Sequence, residues 1–294
     1  MILLELFAGI GGFSKGFEQA GYSFEQTYFS EIDRHAVANF KFNFPHALHI
    51  RSVENITRVN IPRPNLLTFG SPCQDFSVIG NGAGLEGTRS SLISYAVDAI
   101  RHFKPDVFVW ENVKGVLFTK HRADLWAILK AFADIGNYRL EWQLLNTKWF
   151  LPQNRERIYL VGRCTGQCAG SIFPIGESYC SDGKKRENKG ICSSTITRNY
   201  YHQGNMTDYL LDKPGYKNCK IPMRPEHYKN ARLLTPVECE RLQGFEDDFT
   251  RWGNYNGQVY PLSLRQRYNL LGNAVSVPTI QAVATRIRNN TILR

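Results

Sequence analysis

The chain has 294 residues, with 36 Lys and Arg against 26 Asp and Glu, a formal net charge of +10, 43% hydrophobic and 21% charged residues. These proportions exclude a disordered or fibrous protein, and the positive excess suits a polyanionic partner. No stretch reaches the roughly 18 apolar residues of a membrane span, the apolar start Met1–Phe13 is broken by Glu5 and lacks a basic leader, and seven cysteines, an odd number, suggest reduced thiols in a cytoplasmic setting.

The first 163 residues alternate between short apolar strands and helices. Met1–Phe7 reads as a strand ending in a glycine-rich turn, followed by helical spacing through Phe13, Phe17 and Ala20 with Gly21 as the stop. Phe24–Ser30 is a second strand, and Ala36–Phe44 a second helix closed by Pro45. Asn65–Gly70 is a strand running directly into Ser71-Pro72-Cys73, and Leu92–Phe103 is an amphipathic helix. Asp106–Trp110 is a buried strand ending at Glu111-Asn112, Trp126–Phe132 is helical, and Arg157–Val161 is another strand. This alternation predicts an α/β domain around a largely parallel sheet. From about 164 to 231 the apolar periodicity fades, and residues 163–232 hold 12 Lys and Arg against 6 Asp and Glu. Helical patterns return at Thr235–Gly244 and Ser276–Arg288. The segments predict a larger domain in two pieces, 1–185 and 265–294, with a small basic domain and hinge over 186–264.

Several residues carry chemistry. Phe7-Ala8-Gly9-Ile10-Gly11-Gly12 is a strand turning tightly into a helix, where glycines let a ligand approach the backbone and the helix start favours negative charge. The third glycine of a dinucleotide fingerprint is replaced by Ser14, so an adenosine cofactor ending in a carboxylate suits the turn better than a pyrophosphate. Glu31, ending the second strand, is placed to accept from a ribose. A tight turn without ligand and a solvated acid are the plainer alternatives. Cys73 follows a strand, at the sheet edge where ligands bind in open α/β folds. Its thiolate is either a nucleophile or a small buried thiol. Glu111 shares that rim, with a hydrogen bond at the core's edge as its alternative. Arg155 and Arg157 alternate and so share one face, able to hold a carboxylate or phosphate, or merely to form an exposed basic strand end.

Seven segments then occur in a fixed order: FAGIGG (7–12), SEID (30–33), GSPCQDFS (70–77), ENV (111–113), QNRERIYLVG (153–162), RLLTPVECERLQGF (232–245) and GNAVSVP (272–278). Over nearly its whole length the chain resembles the DNA (cytosine-5)-methyltransferases of bacterial and phage restriction-modification systems. The resemblance implies a Rossmann-like sheet with helices on both faces, S-adenosylmethionine as cofactor with S-adenosylhomocysteine as product, and a small irregular target-recognition domain. It implies that Phe7, Ala8, Gly9, Ile10, Gly11 and Gly12 cradle the methionine end of the cofactor, with Glu31 on the ribose and Ile32 against the adenine. Gly70, Pro72, Leu92, Asn273 and Val275 would line the same pocket. Cys73 would add to cytosine C6, Glu111 would bind and protonate N3, and Arg157, with Arg155 nearby, would steady the base. Gln74, Ser77 and Arg89 would belong to a loop closing over a base flipped from the duplex. The family's adenine-binding Asp is replaced, with Ser52 favoured over Asn55 as its substitute.

In the basic segment, Thr197 and Arg198 are candidates to read base edges, while Lys184, Lys185, Arg186 and Lys189 suit phosphates. Cys164, Cys168, Cys180 and Cys192 lack the tight pairs of a zinc site, so no metal is expected. Double-stranded DNA is the expected partner of a cytoplasmic monomer, alongside a separately acting restriction endonuclease. The rival readings are an RNA (tRNA) cytosine-5 methyltransferase of the same fold and a non-catalytic DNA-binding relative. A nicotinamide oxidoreductase stands further off, because the glycine spacing disfavours it.

Overall fold

A strand buried on both faces of a parallel sheet needs apolar residues at successive positions rather than at alternate ones. β1 (Ile2–Leu6), β4 (Leu66–Gly70) and β5 (Val107–Val113) meet that need and occupy the middle of a seven-stranded sheet. The computed structural model describes residues 1–71, 92–118, 122–176, 210–211 and 231–293. With β2 (Gln26–Ser30), β3 (Leu48–His49), β6 (Tyr138–Asn146) and β7 (Glu156–Cys164), the strand order is β3-β2-β1-β4-β5-β7-β6. The pairs from β3 through β5 are parallel, whereas β7 runs antiparallel to both β5 and β6.

The two faces of β5 show how the layers form. Phe108 and Trp110 point to one side and pack with α3 (Leu92–Phe103) and α4 (Arg122–Ala133), through Ile93, Ile100, Ile128 and Phe132. Val107 and Val109 point to the other and share a core with α1 (Gly12–Gln19) and α7 (Val277–Asn290), through Phe13, Phe17, Ile280 and Val283. The expected α/β architecture, helices on both faces of a mostly parallel sheet, is the one observed.

Gly12 and Gly16 set the α1–α7 contact. A Cβ on Gly16 would lie 2.5 Å from Ile280 Cγ2, and one on Gly12 would lie 2.6 Å from Val275 Cγ2, so only glycine lets the helices approach this closely. A third core joins α2 (Arg34–Asn43), α5 (Pro236–Gln243) and α6 (Leu264–Asn273) through Ala36, Leu234, Phe245, Phe249, Leu262 and Leu271. Thr235 and Glu238 close a reciprocal capping box at the start of α5, and left-handed Gly244 ends it. Buried Asn39 on α2 donates to the carbonyls of Phe249 and Trp252, both at 2.9 Å. That grip seats the hairpin of β10 (Trp252–Tyr255) and β11 (Gln258–Pro261), numbered after the short pair β8 (Leu210–Leu211) and β9 (Ala231–Arg232).

The sequence boundaries shift in places. Glu111 and Asn112 lie within β5 rather than after it, and β7 continues to Cys164. β3, β6, α6 and the β10–β11 hairpin were not expected from the sequence.

Candidate active site

The chain reverses direction after β1 through three left-handed residues, Phe7 (φ 51°), Gly9 (φ 54°) and Gly11 (φ 86°). Ala8 donates to the Ser30 carbonyl at 3.0 Å, which holds the turn against the end of β2. Glu31 completes the tie: Oε2 accepts from Gly9 N at 2.8 Å, while Oε1 accepts from Ile32 N at 2.8 Å and Asp33 N at 2.9 Å. Ile10 is buried against the third core, and Ile32 stands 80% exposed beside Glu31. Such an apolar side chain held out at a sheet rim suits the flat face of a base. The Arg51 carbonyl accepts from Glu31 N at 3.2 Å, so Ser52 follows directly on this junction. Ser52 caps the short helical turn Val53–Arg58, with its hydroxyl accepting from Glu54 N, and Asn55 sits exposed within that turn.

Val275 links this turn to the neighbouring strands. Its Cγ2 abuts Gly12, and its Cγ1 would lie 3.9 Å from a Cβ on Gly70. Glu111 Oε2 would lie 3.3 Å from that same Cβ. Gly12, Gly70, Glu111 and Val275 therefore converge at one end of the sheet. Asn273 is exposed nearby in sequence, and half-buried Leu92 opens α3.

At the carboxyl end of β5, buried Glu111 meets Arg157, with Nε 3.2 Å from Oε1. Because β7 is antiparallel, its first residues rather than its last arrive at this rim. Just past the end of β5, Lys114 pairs with Glu156 at the start of β7 at 2.7 Å. Arg155 is buried and donates through Nη2 to the Ala274 carbonyl at 2.7 Å, tying the start of β7 to the segment around Val275. Its Nε and Nη1 have no hydrogen-bond partner among the described residues. Burial, with the Arg157 charge adding to it, pulls the Arg155 guanidinium down to about 10. Arg155 and Arg157 are thus both turned to the Glu111 side, and Arg155 is not an exposed strand end.

Ser71 leads toward Cys73. Its hydroxyl accepts from Trp110 Nε1 at 3.1 Å and from Asn112 Nδ2 at 3.1 Å, and its carbonyl accepts from Asn112 Nδ2 at 3.0 Å. Pro72, Cys73, Gln74, Ser77, Arg89, Thr197 and Arg198 lie outside the described residues. The Ser71 contacts, the Ala274 carbonyl and fully buried Gln153 were not singled out from sequence. Only the position of Ser71 before Pro-Cys and of Gln153 before the paired arginines could have pointed to them. Cys164 and Cys168 are free thiols, with Cys168 donating to the Cys164 carbonyl at 3.4 Å, while Cys180 and Cys192 lie outside the described residues.

A family model described as C-5 cytosine-specific DNA methylase matches residues 1–169 and 171–289. The chain belongs to the C-5 cytosine-specific DNA methylases. It is a DNA cytosine-5 methyltransferase. Type II methyltransferase M.NlaX of Neisseria lactamica is 31% identical over 325 residues, covering 97% of this chain and 96% of the relative. Type II methyltransferase M.Bsp6I of Bacillus sp. (strain RFL6) is 31% identical over 320 residues, covering 97% and 98%. Among solved structures, the S. pombe Dnmt2 methyltransferase superposes with a TM-score of 0.71 at 20% identity, covering 98% of this chain and 99% of the other. The Entamoeba histolytica methyltransferase EhMeth gives 0.70 at 20% identity, covering 98% of each. These two share the fold with the methyltransferase described here. Among its described residues, no helix is long and apolar enough to cross a membrane.

Proposed function

We propose that this methyltransferase modifies a cytosine flipped out of a specific sequence in double-stranded DNA, through a transient bond between Cys73 and C6 of the base. The observation that carries this reading is the buried pair of Glu111, on β5, and Arg157, on β7, with β5 also holding Ser71 two residues before Cys73. Cytosine C5 is a poor nucleophile until a thiolate adds at C6. Glu111 binds N3 and delivers a proton there as the S–C6 bond forms, so the ring becomes an enamine with nucleophilic C5. Arg157 holds the Glu111 carboxyl and steadies the base, and Arg155 orients the segment around Ala274. After C5 has been methylated, loss of its proton, expulsion of the Cys73 thiolate and return of the N3 proton to Glu111 give neutral, aromatic 5-methylcytosine. Flipping costs a few kcal/mol, and a closing loop containing Gln74, Ser77 and Arg89 keeps water from the adduct.

S-adenosylmethionine, when bound, supplies the electrophilic methyl group. The residues present fit it: Gly9 and Gly11 open the turn, Glu31 retains acceptor capacity for a ribose, and exposed Ile32 meets the adenine. Ser52 takes the place of the family's adenine-binding Asp, with Asn55 the alternative. Phe7, Ala8, Ile10, Gly12, Gly70, Pro72, Leu92, Asn273 and Val275 line the remainder of the pocket.

Residues 186–264 serve as target-recognition domain and hinge, with Thr197 and Arg198 reading base edges, and residues 1–185 and 265–294 hold cofactor and chemistry. The names of M.NlaX and M.Bsp6I support a restriction-modification setting, with an endonuclease acting separately; on this proposal the methyltransferase works as a cytoplasmic monomer.

The test is transfer of labelled methyl from S-adenosylmethionine to mixed-sequence duplex DNA, with Cys73→Ser alongside and tRNA as competitor. Label recovered as 5-methylcytosine in DNA, and only with Cys73 intact, is the expected result. Near wild-type turnover in the serine variant would end the covalent mechanism, and label confined to tRNA would move the substrate to RNA. DNA binding weakens steeply with salt on this reading, because the basic segment displaces counterions from phosphates.

A further inference from the structure

We infer that Ser71 is a positioning residue for the nucleophile, fixing where the chain enters Pro72-Cys73 and thereby the approach of the Cys73 thiolate to the base held by Glu111. The inference rests on the covalent reading above and adds a residue to it. The Ser71–Pro72 peptide unit has no N–H, so its single hydrogen-bonding handle is the Ser71 carbonyl. Asn112 takes that handle at 3.0 Å and also donates to the Ser71 hydroxyl at 3.1 Å. Trp110 donates to the same hydroxyl at 3.1 Å, so both of its lone pairs are engaged by β5. Ser71 is buried, and the residue before a proline has little backbone freedom of its own.

β5 acts here as a ruler. Trp110 and Asn112 are two residues apart and present one face of the strand, the face of the α3–α4 core to which Trp110 belongs. Glu111, between them, presents the opposite face, beside Gly70 and Val275. One rigid strand thus grips the root of the nucleophile segment on one side and carries the base-binding carboxyl on the other. Ser71 and Glu111 are both held by β5, on opposite faces of it. The buried indole ring of Trp110 lies 5.8 Å from the Phe132 ring, so the donor itself is fixed by core packing.

The experiment uses the full chain and a duplex carrying 5-fluorocytosine at the methylated position, where the missing C5 proton blocks elimination and leaves the adduct trapped. The trapping rate at saturating DNA and cofactor is compared for wild type, Ser71→Ala, Trp110→Phe and the double variant, with KM values measured separately. The expected result for Ser71→Ala is a trapping rate lower by about 10- to 100-fold, with both KM values within about twofold of wild type. Trp110→Phe slows the same step less, and the double variant is no slower than Ser71→Ala, since one hydrogen bond is removed twice. Ser71→Thr, which keeps the hydroxyl, recovers rate. A Ser71→Ala enzyme that traps within about twofold of wild type per folded molecule, or that loses only KM, overturns the proposal. So does a double variant whose defects multiply. If Ser71→Ala does not fold, Trp110→Phe, which keeps a ring in the core, carries the comparison. A wild-type chain that forms no adduct overturns the covalent reading itself, and that is read before any variant.

Discussion

Arg157 and Glu111 face each other across the β5–β7 pair, Nε to Oε1 at 3.2 Å, with side chains only 15% and 10% exposed. Neither charge is free to turn to bulk water, so each depends on the other until a substrate arrives. Glu111→Gln keeps the shape and removes the transferable proton. It is expected to lower kcat by about 10²- to 10⁴-fold with little change in KM. Arg157→Ala leaves the carboxylate buried and unpaired, and the folded state should lose about 3–5 kcal/mol in urea unfolding. Equal losses of kcat and affinity in Glu111→Gln would show that the carboxyl only binds.

Gly16→Ala tests the helix crossing beside the turn at residues 7–12. An added methyl would sit 2.5 Å from Ile280 Cγ2 and 3.0 Å from the Val277 carbonyl, and the carbonyl cannot rotate away. Alanine normally favours a helix by up to about 1 kcal/mol over glycine. Here the overpacking outweighs that gain, and a net loss of about 1–3 kcal/mol is expected from thermal or urea unfolding. Gly12→Ala, pressing on Val275, should in addition weaken S-adenosylhomocysteine binding measured by calorimetry. Unchanged binding would separate Val275 from the pocket.

Glu5 gives the fold a pH signature. It lies fully buried in β1, where burial pushes its carboxyl up to about 7, against hydrogen bonds from Ser14 N at 3.1 Å and Ser14 Oγ at 2.5 Å. Its other oxygen has no partner among the described residues. The unfolded chain releases this proton near pH 4.5 and the folded chain keeps it to about pH 7. The folded state therefore binds more protons across that window, and this residue's contribution falls as pH rises, by about 3 kcal/mol in all. Urea midpoints of wild type should drop relative to those of Glu5→Gln between the two values and run parallel above them. Parallel curves throughout would mean that Glu5 is ionised in the fold.

The stretch from α5 to α6 is braced by Arg267, which donates to Glu240 Oε1 at 2.9 Å, Thr250 Oγ1 at 3.0 Å and Asp248 Oδ1 at 3.2 Å. Glu240 also accepts from Asp248 N and Thr250 N, each at 2.8 Å, and from the Thr250 hydroxyl. Arg267→Met strands a fully buried carboxylate and should cost about 3–5 kcal/mol. Replacing Arg267 and Glu240 together by Met and Leu should recover most of that loss, because the penalty belongs to the unpaired charge. A double variant as unstable as the single would contradict this.

Much of the fold and part of the site could be read from the residues alone. Leu92–Phe103 has one apolar stripe and no competing signal, and its helix has those same bounds. The turn at Gly9 and Gly11 was legible because left-handed backbone leaves few other choices of residue. β6 was legible too, since Arg139, Glu141 and Gln143 alternate with Tyr138, Leu140, Trp142 and Leu144, the period of a strand with one polar face; the sequence does not show where that polar face goes. Their partners, Arg163 for Glu141 and the backbone of Ile175 for Gln143, become neighbours only once the chain has folded. α6 did announce itself through Ser263 and Gln266, a capping box at the usual spacing that went unread. The paired arginines were visible, yet not that Arg155 serves the Ala274 carbonyl, since nothing in QNRER refers to residues so much later in the chain.

The Gly12–Val275 contact joins residues far apart in the chain, and it bears on the order of events during synthesis. The turn at residues 7–12 leaves the ribosome more than 250 residues before Val275, which packs against it. Closing so long a loop is slow and brings no stabilisation until its final contact forms. A growing chain can therefore complete β1 and α1 and still lack this contact. The packing beneath the turn is thus a late checkpoint of folding, reached only by molecules in which α7 has docked.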